Sequence, residues 1–179
     1  MLASPRHSRV VLINRTCGET PALSASLAAC RAGLSLLRAG LEMFAVPSTV
    51  VGECEPFENG CTEQLLRSMT QLDVDVLSIW QDQRFAEALI SSETRIVFLG
   101  GGWLEEEIFI AALQGAEHGY DVRILSDVMV TRVQADRPLV FDRLALHGIL
   151  ATTVRQTLLE WAVCLSDPLL KKKVQQLLL

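Results

Sequence analysis

Short apolar runs recur along this chain, and segments with helical periodicity separate them. The first run, Arg9–Asn14, is apolar without alternation, which is typical of a strand buried on both faces of a parallel sheet. The apolar residues of the next segment, from Leu23 to Phe44, are spaced by three and four, as on one face of a helix. Strands that alternate with helices in this way form right-handed βαβ units. We therefore predict a three-layer α/β/α fold around a six-stranded, mainly parallel sheet.

The other elements follow from the same patterns and from the glycine and proline signals. Gly100, Gly101 and Gly102 predict a sharp turn directly after the fourth strand, and Gly52–Gly60 and Ser126–Arg137 are predicted to be loops. The predicted strands are Arg9–Asn14, Ser48–Val51, Val74–Ile79, Arg95–Leu99, Asp121–Leu125 and Ile149–Thr152. The predicted helices are Leu23–Phe44, Thr62–Met69, Phe85–Ile90, Trp103–His118, Pro138–His147, Val154–Leu165 and a last one from Pro168 toward Leu179.

Length and charge exclude several classes of protein. The 179 residues suit a single domain, with residues 1–8 as an N-terminal arm and 166–179 as a C-terminal helix. A net charge of -5 gives no basic surface for nucleic acid or for an anionic membrane. The sequence contains no apolar run of the roughly 18 residues needed to span a bilayer. We therefore expect neither nucleic acid nor membrane as a partner.

The cysteines indicate a reducing compartment. There are five, an odd number, and no two of them form a C-x-x-C pair. The apolar run after the first residues is too short for the core of a secretory signal. We therefore expect a cytoplasmic protein with free thiols.

The ends of three predicted strands are the expected place for a ligand, because open parallel sheets bind ligands beyond their carboxyl edge. The first strand ends at Asn14, the third-strand region carries Asp73 and Asp75, and the fourth leads to Glu105–Glu107. A dinucleotide fingerprint would need a glycine at Glu105, and acids there would repel a pyrophosphate. Two interpretations remain for the three acids. They are ordinary acids at a helix N-terminus, which is the default, or Glu107 is a functional carboxylate facing the pocket.

One long segment carries most of the similarity of this chain to a known family. It runs from the strand at Val97 through Gly100-Gly-Gly-Trp-Leu-Glu-Glu-Glu107 to Val122, and Ser126-Asp127 follows. Shorter matching segments are Trp80 with Phe85, Ala45-Val-Pro47, and Phe141-Asp-Arg-Leu144 with Gly148. In these segments the chain resembles the isochorismatase-like cysteine hydrolases. The resemblance covers Arg9 to about Ala162 and implies an isochorismatase-like (Rossmann-like) fold.

The resemblance also implies where a catalytic triad of Asp, Lys and Cys would lie, and all three residues differ here. Asn14 stands at the position of the Asp and Glu107 at that of the Cys. Asp73 and Asp75 are the residues nearest to the position of the Lys, and no lysine occurs between Arg67 and Arg84. An amide cannot accept the thiol proton, and a carboxylate replaces a thiolate poorly in acyl transfer.

The residues of the expected pocket can be named, although none is assigned a catalytic role. Cys17 is the one cysteine near the end of the first strand, and we interpret it as an inert loop thiol. The candidates for the pocket are Asn14, Cys17, Trp80, Gly101, Trp103 and Glu107.

Two hypotheses for function follow. The chain is a degenerate homologue without thiol-dependent hydrolysis, which retains the fold for small-molecule binding or oligomeric assembly. Alternatively, it is a hydrolase of a small amide, ester or vinyl ether with a carboxylate-based site made by Glu107, Asp73 or Asp75, and Asn14.

The sequence also indicates what to expect of metals and partners. Some members of the family hold a metal through an Asp and two His after the second strand, but Gly52–Gly60 contains no His. We expect neither a metal nor a cofactor. Trp161, Val174 and Leu177–Leu179 predict an apolar end that a second subunit covers, and the resemblance also implies a homo-oligomer.

Overall fold

The computed structural model describes residues 2–13, 24–52 and 61–179. Six parallel strands form one sheet in the order β3-β2-β1-β4-β5-β6, which confirms the predicted α/β class and strand number. All six residues of the first strand are buried, as its continuous apolar pattern predicted. The strands are β1 (Ser8–Ile13), β2 (Ser48–Val51), β3 (Met69–Leu72), β4 (Ile96–Trp103), β5 (Asp121–Val130) and β6 (Leu150–Thr152).

Helices connect the strands, and local capping signals start several of them. Thr62 and Asp82 accept backbone N–H bonds at the starts of the second and third helices, and Thr153 and Gln156 form a capping box at the sixth. The described α-helices are α1 (Ser24–Phe44), α2 (Glu63–Ser68), α3 (Gln83–Ser91), α4 (Phe109–Glu117), α5 (Arg137–Leu146), α6 (Val154–Leu165) and α7 (Pro168–Leu177). Short 3₁₀ helices cover Pro5–His7, Val76–Gln81 and Gln134–Asp136, and a π-helical turn covers Leu104–Ile108.

The sheet separates two apolar clusters, because successive side chains of a strand point to opposite faces. Val10 and Leu12 of β1 belong to the cluster that packs against α1, α2, α6 and α7. Val11 and Ile13 belong to the cluster that packs against α3, α4 and α5. The molecule therefore has the predicted three layers.

The third strand lies earlier in the chain than predicted. The apolar run Val74–Ile79 is not a strand, and most of it belongs to the 3₁₀ helix Val76–Gln81. Asp75 starts this helix by accepting the backbone N–H of Leu77 at 3.2 Å. The strand is Met69–Leu72, which lies at the edge of the sheet and is buried only at Leu72. An edge strand needs few apolar side chains, so its sequence pattern was weak.

The glycines after Leu99 do not turn the chain, contrary to the prediction. β4 continues through them to Trp103, with irregular pairing to β5 on both sides of Gly101. β5 also extends five residues beyond its predicted end at Leu125, since Ser126–Val130 belongs to the strand and not to a loop. The helix predicted from Trp103 begins as the π-helical turn at Leu104.

The apolar residues near the C-terminus are mostly covered by the chain itself, contrary to the expectation of an exposed apolar end. Trp161 and Val174 are fully buried. Trp161 lies edge-to-face against Phe44 and Phe98, with ring centroids 5.6 and 5.7 Å away. Leu177 and Leu178 are partly buried against the same cluster, and Leu179 alone is fully exposed. These residues therefore give no support for an oligomer.

Candidate functional site

A pocket of about 320 Å³ lies beyond the carboxyl ends of the strands, where an open parallel sheet places its ligands. Its walls come from two segments. One is the 3₁₀ helix that follows β3, and the other is the π-helical turn that follows β4, together with the start of α4. Three carboxylates and three apolar side chains line it: Asp75, Val76, Leu77, Glu106, Glu107 and Ile110.

Glu107 is the buried carboxylate of this pocket. Its side chain is only 4% exposed. Its Oε2 accepts the backbone N–H of Trp103 at 3.3 Å, so the carboxylate folds back onto the end of β4. The π-helical turn produces this arrangement, and such turns occur frequently at functional sites. Glu107 is therefore held at the pocket wall and is not a solvated acid at a helix end.

Gly101 allows β4 to reach this position. Its φ of +95° is disfavoured for residues with a side chain. A Cβ atom there would lie 2.1 Å from the carbonyl oxygen of Ile13 on β1. The carboxyl ends of β1 and β4 can approach this closely only with glycine, and the approach sets the position of Trp103 and of the turn that carries Glu107.

Arg132 holds the other two acids of the turn. Its Nε donates to Glu106, and its backbone N–H donates to Glu105. Its guanidinium also lies 4.2 Å from the centroid of the Trp103 ring. The hydrogen bond to Glu106 is the main cause that raises the pKa of Arg132. Through Arg132, Glu105 and Glu106 thus connect the turn to the residues that follow β5. They therefore do more than stabilise a helix N-terminus, which was the default interpretation of these acids.

The two aspartates near the implied lysine position lie in different surroundings. Asp75 lines the pocket while it caps the 3₁₀ helix. Asp73 is exposed and is not among the lining residues. The pKa of Arg84 is raised mainly by a hydrogen bond to Asp82, and the charge of Asp73 adds a smaller effect. Asp75 is therefore the aspartate that shares a pocket with Glu107.

Three other predicted pocket residues, Trp80, Gly101 and Trp103, are described and are not lining residues. Trp80 is buried in the apolar cluster, and its indole N–H donates to the carbonyl of Ala111 at 2.8 Å. Gly101 and Trp103 shape the pocket from behind the turn, as described above. Asn14 and Cys17 lie outside the described residues.

Sequence reasoning did not name four residues that shape the pocket. Val76 and Leu77 fall in a segment predicted to be a strand, and Ile110 is one of many apolar residues in a predicted helix. Arg132 fell in a predicted loop, and no local pattern marks it as a partner of Glu106. Glu106 is marked in the sequence only by its place in the tripeptide Glu105–Glu107, at the end of the fourth predicted strand.

Within residues 2–13, 24–52 and 61–179, no group of three or more His, Cys, Asp or Glu side chains could hold a metal ion. In the same part of the chain, no helix combines the length and the hydropathy needed to cross a bilayer.

The sequence matches no protein-family model, and it matches no curated protein at a significant level. Solved structures nevertheless share the fold. The MAR1 ribonuclease from Caenorhabditis elegans has a TM-score of 0.80 at 16% identity, over 99% of this chain and 92% of its own. The YcaC gene product from Escherichia coli, described as an octameric hydrolase of unknown specificity, has a TM-score of 0.73 at 16% identity, over 98% of this chain and 90% of its own.

An isochorismatase from Pseudomonas putida KT2440 has a TM-score of 0.66 at 11% identity, over 86% of this chain and 91% of its own. At these identities the likeness shows the fold alone. It confirms the fold that the sequence resemblance implied.

Proposed function

We propose that this chain, whose fold is that of the isochorismatase-like cysteine hydrolases, is a divergent relative of them that has lost thiol-dependent hydrolysis. Its carboxylate-lined pocket is retained to bind a small molecule. The observation that carries this proposal is the buried carboxylate of Glu107, at the position where the resemblance implies the nucleophilic cysteine. A carboxylate that attacked an amide would form a mixed anhydride, which is a poor replacement for a thioester.

The positions of the lysines support the same conclusion. They are Lys171, Lys172 and Lys173, and all three belong to α7. That helix packs through Val174 against one apolar cluster, whereas the neighbours of Glu107 in the turn, Leu104 and Ile108, belong to the cluster on the other face of the sheet. No lysine is therefore available to complete a triad in this pocket.

A second candidate function is a hydrolase with a carboxylate-based site. It is favoured by the presence of Asp75 and Glu107 in one pocket, because two carboxylates with different surroundings can divide acid and base roles. Asp75 is exposed and Glu107 is buried, so their surroundings do differ. Activity of this kind would need Glu107 itself, whereas it would not need a thiol.

Nucleic acid is not the proposed ligand, although one protein of this fold is described as a ribonuclease. Three carboxylates line the pocket, and the chain carries a net charge of -5. Both features repel the phosphate backbone. We therefore expect this protein to leave an RNA oligonucleotide uncleaved.

The assay offers a panel of small amides, esters and vinyl ethers, plus the RNA oligonucleotide, to the wild-type protein. We expect no turnover above the uncatalysed rate, with or without prior alkylation of thiols by iodoacetamide. Turnover that Glu107→Gln abolishes would establish the carboxylate-based hydrolase. Turnover that alkylation abolishes would show that a thiol reaction persists. Glu87→Gln is the matched control, because Glu87 is an exposed acid on α3 that is not a lining residue.

Binding is tested separately from turnover. The same amides are offered in saturation-transfer NMR, where we expect transfer to at least one of them. Ile110→Trp places a larger side chain at the pocket wall and should remove that signal while circular dichroism stays unchanged. If no amide shows transfer, or if Ile110→Trp leaves the transfer intact, retained binding of a small amide in this pocket is wrong.

Assembly and location complete the proposal. The YcaC protein of the same fold is described as octameric, and we infer that this chain also forms a homo-oligomer. We also infer that the protein is cytoplasmic, because its five cysteines are an odd number and no two of them form a C-x-x-C pair.

A further inference from the structure

Helix α5 carries apolar residues on two opposite faces. Leu144 on the inner face is 1% exposed, and Val140 and Phe141 pack beside it against the apolar cluster. On the outer face, Leu139 is 69% exposed and Leu146 is 88% exposed. A surface helix of a monomer normally has one apolar face, and a helix that is apolar on both sides is usually covered on both.

The inner contacts fix which face points outward. Arg137, at the start of α5, donates to the hydroxyl of Thr131 at 3.1 Å and to the carbonyl of Ser126. Its guanidinium also lies 5.1 Å from the centroid of the Phe141 ring. With Leu144 buried as well, α5 cannot rotate to cover Leu139 and Leu146 within its own chain.

We propose that the outer face of α5 is the contact between two copies of this chain, packed antiparallel about a twofold axis. This inference rests on the proposed homo-oligomer and names its interface. The outer face reads Leu139, Asp142, Arg143 and Leu146, a spacing that places all four residues on one side of a helix.

The order of these residues is self-complementary. About an axis through the point between Asp142 and Arg143, Leu139 faces Leu146 of the second copy, and Asp142 faces Arg143 of the second copy. A twofold interface needs this reciprocity, because the same patch serves both subunits. A partner of different sequence would not require it, so a second copy is the occupant that the pattern fits.

Both charged groups remain available for the pairing. Asp142 has no hydrogen bond or ion pair within the described part of the chain. The guanidinium of Arg143 lies 4.7 Å from the centroid of the Phe109 ring, and a guanidinium stacked by its face keeps the N–H groups of its edge for a carboxylate.

The strand that follows α5 in the chain also carries an exposed apolar side chain. β6 forms one edge of the sheet, and Leu150 on this strand is 57% exposed. Exposed sheet edges with apolar side chains are normally covered.

Sedimentation equilibrium of the full chain provides the first test. We expect the wild type at a multiple of 19.7 kDa and Leu146→Glu at half the wild-type mass or less, because two charges then meet leucines across the axis. Ile90→Glu is the control, because Ile90 lies on α3 and is also largely exposed, at 73%. It should keep the wild-type mass.

Charge exchange gives a sharper test, which also excludes a simple folding defect. Asp142→Arg alone and Arg143→Asp alone each place like charges opposite each other, and each should raise the dissociation constant by about tenfold or more. The double variant restores opposite charges and should return the constant to about the wild-type value. Rescue by the double variant cannot come from damage to the monomer.

The outcomes separate this inference from the proposed function. A wild type that sediments as a 19.7 kDa monomer would overturn both the homo-oligomer and its interface. An assembled wild type whose mass is unchanged in Leu146→Glu would overturn the α5 interface and leave the homo-oligomer standing. If the single charge variants have raised dissociation constants and the double variant does not return to the wild-type value, the twofold pairing of Asp142 and Arg143 is wrong.

Discussion

Gly101→Ala is expected to remove about 4 kcal/mol or more from the free energy of unfolding, a large part of the roughly 5–15 kcal/mol that is typical of a folded protein. Two costs add. The φ of +95° disfavours any residue with a Cβ atom. The new methyl group would also lie 2.1 Å from the carbonyl oxygen of Ile13, which belongs to the central strand β1 and cannot move without disturbing the sheet. Urea unfolding followed by circular dichroism measures the change.

Gly119→Ala separates these two costs. Gly119 also has a positive φ, +86°, but a Cβ atom there would have no neighbour within 4 Å. Only the backbone cost applies, so we expect a loss of roughly 1–2 kcal/mol. Equal losses in the two variants would mean that the close approach of β1 and β4 is not what requires glycine at position 101.

Trp80→Ala is expected to cost about 3–5 kcal/mol of stability, the usual range for removing a large aromatic side chain from a core. The indole packs edge-to-face on Phe85 at 5.1 Å and stacks on His118 at 5.3 Å between ring centroids. Its six-membered ring also fills the space above Gly115, where a Cβ atom would lie 2.4 Å from it. Chemical denaturation of the variant measures the loss.

Trp80→Phe tests whether this residue also serves the ligand. It keeps most of the packing and loses the hydrogen bond to the carbonyl of Ala111, so we expect a smaller cost of about 1–3 kcal/mol. Amide binding in saturation-transfer NMR should persist. A stable Trp80→Phe protein without binding would instead show that Trp80 contacts the ligand, as its place among the predicted pocket residues suggests.

Local signals in the sequence were sufficient for most elements. β2 and α6 begin and end where they were predicted, at Ser48–Val51 and Val154–Leu165. Pro47 precedes β2, and the capping box of Thr153 and Gln156 starts α6, so both signals lie within a few residues of the element itself. Such signals act without any knowledge of the rest of the fold.

The two strand errors have a common physical origin. The run of apolar residues at Val74–Ile79 predicted a strand. Instead, Asp75 caps a 3₁₀ helix there, and the strand at the edge of the sheet is formed by the preceding residues. At Gly100–Gly102, glycine predicted a turn, but the approach of β1 required glycine inside the strand. In both places the neighbour in the sheet, and not the local sequence, determined the backbone.

The sequence alone determined the layered α/β architecture and the edge of the sheet where a pocket would lie, because both follow from the order and periodicity of the elements. It also established that no lysine lies between Arg67 and Arg84, since the lysines are all at positions 171–173. The tertiary structure decided which groups meet there. Asp75 shares a pocket with Glu107, and Arg132 binds Glu106, because the strand order β3-β2-β1-β4-β5 brings together segments that lie far apart in the chain. Periodicity carries no information about such contacts, since they depend on the packing of whole elements against one another.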